Sequence, residues 1–201
     1  MAREGNPKEK LLKATLELIW EQSYYSVGVD AICERSGVKK GSFYHFFKSK
    51  AELAAEAIQA HWDGYKPELD AVFSPTVPPL LRLTGYFEKV YAYHSSRKNC
   101  GGNVCGCPYF DLGIEAATLD AAIVTKVTGV LEQYFRYFDA AVREAHARGE
   151  ITVSDPAASA RWLFNYFEGA LTNARIHNDP ELLRDLSAGA LQLLGARKIN
   201  T

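Results

Sequence analysis

The chain has 201 residues and a formal net charge of −1, with 47% hydrophobic and 23% charged residues. That composition supports a packed core and argues against a disordered chain. No apolar run approaches the roughly 20 residues that span a bilayer, and no signal-peptide pattern follows the charged start MAREGNPKEK, so a cytoplasmic location is expected. Charge is unevenly placed. Residues 1–50 hold nine Lys/Arg against six Asp/Glu, and residues 51–201 hold 14 against 18. A basic head on an acidic body fits a DNA-binding domain joined to something else.

In chain order, Leu11, Leu12, Ala14, Thr15, Leu18 and Ile19 recur at helical spacing and predict a first helix over 7–22, with Pro7 near its start. Ser23–Gly28 breaks the pattern. Ile32 and its neighbours predict a short second helix, Ser36-Gly37-Val38 a turn, and Lys40–Phe47 a third helix. Ser49 with Glu52 forms a capping box that opens a fourth helix, expected to weaken near Gly64 and to end by Pro67 or shortly after. Further helices are expected over about 79–97, from Pro108 to about Thr118, over 121–147 behind an Asp120 cap, from Asp155-Pro156 to about 177, and over 180–195 behind Asp179-Pro180. No sustained period-2 alternation appears. The expected fold is all-α, with about nine helices. Residues 1–50 are expected to form a three-helix head and 51–201 a helical bundle.

Two short helices joined by a Gly-centred turn are a helix-turn-helix signature. Gly37 suits a turn position with positive φ. On the third helix Phe43, Phe46 and Phe47 share one face, which leaves Lys39, Lys40, Ser42, Tyr44 and His45 to face a partner. The N-terminal residues of such a helix lie nearest base edges in a major groove. Lys39 and Lys40 suit guanine acceptors, Gly41 permits close backbone approach, and Ser42 suits a phosphate or base edge. Lys50, at the start of the fourth helix, is expected to reach a phosphate. Double-stranded operator DNA is therefore the expected partner.

The run Gly41-Ser42-Phe43-Tyr44-His45-Phe46-Phe47, followed by Ser49-Lys50-Ala51-Glu52-Leu53, resembles the TetR family of transcriptional regulators, and the likeness is strongest over Leu11–Leu53. The resemblance implies a DNA-reading head, a helical body that binds a small-molecule inducer and dimerises, and a four-helix bundle made by the last two helices of each protomer. It also implies a phosphate contact for the Tyr44 hydroxyl. Gly28 departs from the family, which commonly has Thr at the start of the second helix. A hydroxyl contact is lost there, although Gly still serves as an N-cap.

Aromatic residues concentrate in the body. Trp62, Phe87, Tyr91, His94, Tyr109, Tyr134, Phe138 and Phe167 are the candidate lining of a mixed apolar and polar pocket, against the alternative that they simply pack the core. Few inward charges point to a small, partly apolar or aromatic ligand. Cys33 reads as core. Cys100, Cys105 and Cys107 crowd one Gly-rich loop, and three readings stand side by side: reduced thiols on a flexible loop, a metal site with His94 or Asp111, and an oxidant or electrophile sensor. The metal reading lacks the usual zinc spacing, so no metal and no cofactor is expected. For the sensor, Cys107 precedes a helix start, where a thiol's pKa falls, and Gly106-Cys107 resembles family members that sense electrophiles through that Cys.

The last two helices carry Ala157, Ala160, Leu163, Phe164, Phe167 and Leu171, then Leu182, Leu183, Leu186, Ala190, Leu193 and Leu194, and are expected to form the homodimer interface. Two heads on a two-fold axis imply a palindromic operator. A repressor is the expected mode, with an activator of the same fold as the alternative. No Ser/Cys–His–Asp set or phosphate-binding Gly loop is visible, so no enzyme is expected; a Cys105/Cys107 reductase is the only catalytic alternative.

Overall fold

The structure, a computed structural model, describes residues 6–196. Every regular element among them is helical: α1 Pro7–Glu21, α2 Val29–Ser36, α3 Lys40–Phe46, α4 Lys50–Val72, α5 Pro79–Asn99, α6 Pro108–Ala116, α7 Ala121–Ala147, α8 Pro156–His177, a 3-10 turn Pro180–Leu183, and α9 Leu186–Leu193. No helix among them is long and apolar enough to cross a membrane.

The caps follow from the sequence. Asn6 accepts from the Lys8 N–H at 3.0 Å ahead of Pro7. Asp120 accepts from Ala122 and Ile123 at 3.0 Å, and Asp155 from Ala157 and Ala158 at 3.0 Å. Each carboxylate satisfies N–H groups that a first turn leaves without helical partners. At α4 the Glu52 N–H donates to Ser49 Oγ at 3.1 Å, while the Glu52 carboxylate accepts from the Lys48 N–H at 2.6 Å, one residue earlier than in a standard box.

Two helix ends differ from expectation. α4 passes through Pro67 and continues to Val72. Proline forfeits one backbone bond, but Leu69 and Phe73 are buried beyond it, and Lys66 pairs with Asp70 across it at 2.8 Å. The final helix expected over 180–195 is broken. A 3-10 turn closes with Arg184 N–H on the Glu181 carbonyl at 3.0 Å, and α9 starts afresh at Leu186. Three residues per turn align Pro180 with Leu183, and both are buried.

The chain forms two compact units, divided within α4 between Tyr65 and Lys66 and within α7 between Leu131 and Glu132. The first holds α1–α3, the start of α4, α6 and the start of α7. Its head core is Leu11, Leu18, Val27, Ile32, Val38, Phe43, Phe47 and Leu53. Trp62 packs edge-on to Tyr109 here, and the Tyr109 hydroxyl hydrogen-bonds His61 Nδ1 at 2.7 Å.

The second unit holds the end of α4, α5, the 100–107 loop, the rest of α7, α8 and α9. Phe73, Tyr86, Phe87, Tyr134, Phe138, Phe164 and Phe167 make a continuous ring cluster at its centre, and the Tyr86 and Tyr134 hydroxyls hydrogen-bond each other. Arg82 is buried and staples the preceding loop: it donates to the Val77 and Pro75 carbonyls at 2.6 and 3.1 Å, and to Glu144 on α7 at 2.7 Å.

Candidate nucleic-acid interface

Gly37 ends α2 in the left-handed region at φ +67°, with the Val38 N–H on the Cys33 carbonyl at 3.1 Å. That conformation suits glycine and redirects the chain within three residues. Lys39 then caps α3 in extended conformation, and its carbonyl accepts from the Ser42 and Phe43 N–H groups. Phe43 is fully buried beneath α3 and Phe47 closes its end.

With Phe43 inward, helical geometry brings Lys39, Lys40, Gly41, Tyr44 and His45 to the exposed side, and Ser42 is half-buried. Tyr44 rests its ring edge-on against Phe43 at 4.9 Å yet remains 57% exposed. A Cβ at Gly41 would meet nothing within 4 Å, so this position leaves the helix backbone open to a close partner. Gly28 caps α2 without a side-chain bond.

Two of the expected DNA-facing cations are engaged within the unit. Lys40 Nζ lies 2.7 Å from Asp30 Oδ1, and this hydrogen bond and charge hold the ammonium above its ordinary pKa. Lys50 departs further from expectation. Its ammonium donates to the Tyr24 and Val27 carbonyls at 2.7 and 3.0 Å and sits 4.2 Å from the Tyr24 ring centroid. Burial lowers its pKa, partly offset by the Glu115 charge. Sequence spacing could not reveal this, because the acceptors are backbone carbonyls more than twenty residues upstream.

The candidate pocket residues are drawn from both units. Phe87, Tyr134, Phe138 and Phe167 converge in the ring cluster of the second unit. Tyr91 is half-buried there and donates its hydroxyl to Glu181 at 2.9 Å. His94 is buried, with no hydrogen-bond partner for Nδ1 among the described residues, and burial together with Arg97 pushes its pKa down to about 4. Trp62 and Tyr109 belong to the first unit.

The 100–107 loop is pinned rather than loose. Val104 N–H donates to Asn178 Oδ1 at 2.9 Å, Asn178 Nδ2 to Asn103 Oδ1 at 3.0 Å, and Arg97 Nε to the Asn103 carbonyl at 3.0 Å. Cys105 and Cys107 are buried and Cys100 is exposed. Among the described residues no three His, Cys, Asp or Glu side chains gather as a metal ligand set.

Residues 11–57 match the family described as bacterial regulatory proteins, tetR family, and residues 79–189 match the tetracyclin repressor-like C-terminal domain. The chain belongs to the tetR family. It is a DNA-binding transcriptional regulator and not an enzyme. Among relatives of this tetR-family chain, the transcriptional regulator AcuR of Cereibacter sphaeroides is 34% identical over 92% of this chain and 88% of its own length. A crystal structure of the regulatory protein TetR from Rhodobacter sphaeroides shares 33% identity, with a TM-score of 0.79 over 92% of this chain and 97% of that one. The reduced form of Escherichia coli NemR shares the fold at 19% identity, with a TM-score of 0.80 over 96% of this chain and all of that one.

Proposed function

We propose that this regulator is a homodimeric cytoplasmic repressor that reads a palindromic operator with the α3 helix of each protomer. A small, partly apolar inducer bound in the body releases it. The observation that carries the reading is the exposed row Lys39, Lys40, Tyr44 and His45 over the buried Phe43. It offers cations and hydrogen-bonding groups on a helix of a size that enters a major groove. Lys39 and Lys40 meet base edges or phosphates, and Ser42, Tyr44 and His45 fix the register. Lys50 contributes from behind this surface, by holding the head.

For the dimer, α8 carries Trp162 and Ile176, 60% and 73% exposed, and the following turn carries Leu182 at 44%. Large apolar residues left exposed on the last helices are what a partner's matching helices would cover. For the inducer, the ring cluster supplies apolar walls, and the neutral, buried His94 supplies a hydrogen-bonding nitrogen.

A second route of release is favoured by one observation. Cys107 immediately precedes Pro108, the first residue of α6, a position where a helix N-terminus stabilises a thiolate. Modification of Cys107 there would act at the joint between loop and helix, with Cys105 buried beside it in sequence and Cys100 exposed.

Gel shift with circular dichroism on the same samples tests the reading surface. Lys40→Ala and Tyr44→Phe are expected to weaken operator binding by about tenfold each without unfolding, and binding is expected to fall steeply with salt. Unchanged affinity in both variants would remove α3 from the interface.

A further inference from the structure

The α1–α2 loop, Gln22–Gly28, is gripped from two sides by charged residues that lie far from it in sequence. From α4, the Lys50 ammonium ties down the Tyr24 and Val27 carbonyls. From α6, Glu115 Oε2 accepts a 2.7 Å hydrogen bond from Ser23 Oγ. Ser23 is also a local hub: its Oγ accepts from the Tyr25 N–H at 3.3 Å, and its carbonyl accepts from Ser26 Oγ at 3.0 Å. Tyr24 is buried beneath the Lys50 ammonium. α1 itself packs on α6 within this unit.

The loop leads straight into the reading surface. Its last residue, Gly28, caps α2, and two residues later Asp30 holds Lys40 of α3. The cap uses no side-chain bond, so the entry to α2 is fixed by the loop rather than by a local hydroxyl. A shift of the loop would carry α2 and, through Asp30, the ammonium of Lys40.

We propose that Glu115 is a positioning residue for DNA reading: through Ser23, and together with Lys50, it fixes the α1–α2 loop, so that α6 sets the head directly as well as through α4. This rests on the assignment of α3 as the reading helix. The physical basis is pre-organisation, because a loop held before binding need not be ordered during it. α6 starts at Pro108, directly after the cysteine loop, so a displacement of α6 reaches the head over a helix of nine residues.

The test uses the full chain, with the duplex that the wild-type protein enriches from a random pool as probe. Glu115→Ala and Ser23→Ala are each expected to lose about fivefold in affinity, a modest value for coupling between sites. The double variant should lose no more than Ser23→Ala alone, because that substitution already removes the bond to Glu115, along with the Tyr25 contact. Glu115→Gln and Ser23→Thr keep an acceptor and a hydroxyl, and are expected to restore near wild-type affinity. Amide hydrogen exchange, measured without DNA, should quicken at Tyr25, Ser26 and Val27 in the alanine variants alone. Additive losses, unchanged affinity, a failure of the conservative variants to rescue, or unaltered exchange would each overturn the proposal. Absence of any enriched duplex for the wild type would instead count against α3 as a reader, and the exchange measurement would still decide whether the bond holds the loop.

Discussion

Asp30 on α2 holds the ammonium of Lys40 on α3, at 2.7 Å. Both side chains are exposed, at 52% for Lys40 and 81% for Asp30, so the pair adds little to stability. Its consequence is for recognition: a carboxylate lies beside the cation expected to meet DNA, and that cation must be released before it can contact a phosphate.

Asp30→Asn should therefore raise operator affinity, by about two- to fivefold at low salt. If Lys40 meets a phosphate, the slope of log affinity against log salt should steepen by roughly one unit. Titration by fluorescence anisotropy at several salt concentrations measures both quantities. A loss of affinity would mean that Asp30 helps to hold Lys40 in its reading position.

Much of the helical fold was legible in the sequence, because its determinants are local. Ser49, Asp120, Asp155 and Asp179 each cap N–H groups two or three residues ahead, and the Phe43 periodicity fixes which side of α3 is buried. What was not legible depends on contacts between distant residues. The persistence of α4 beyond Pro67 relies on Leu69 and Phe73 being buried. Arg82 bonds to Glu144 across 62 positions, and Ser23 to Glu115 across 92. The candidate pocket residues come from both units, because composition marks aromatic residues without saying which of them meet.

His94 gives the body a pH dependence with a defined sign. Its pKa in the fold is about 4 against an ordinary 6.5, because burial and Arg97 disfavour the cation. Between those values the unfolded chain binds more protons than the folded one, so stability falls as pH drops. A shift of this size corresponds to about 3 kcal/mol lost between pH 6.5 and 4. His61, also lowered by burial, acts in the same direction. Urea denaturation across this range should show His94→Gln losing much less stability than the wild type. Parallel curves for the two proteins would show that His94 is free to protonate in the fold.

Phe138 is fully buried at the centre of the ring cluster, with the Phe73, Phe87, Tyr134, Phe164 and Phe167 rings at centroid distances of 5.1 to 5.9 Å. Phe138→Ala should destabilise the protein by about 3–5 kcal/mol, the usual range for a buried Phe that leaves a cavity. Phe138→Leu should cost less. A change under about 1 kcal/mol for the alanine variant would be too small for a tightly packed ring and would show that Phe138 is loosely held.

In the proposed function, α3 reads a palindrome as one half of a two-headed dimer. Selection of bound duplexes from a random pool, followed by sequencing, tests this most directly. The expected result is one enriched motif with two inverted half-sites, recovered by the wild type and lost by a Lys39→Ala/Tyr44→Phe variant that still folds. Enrichment of a single, non-palindromic half-site, or equal enrichment by the variant, would contradict it.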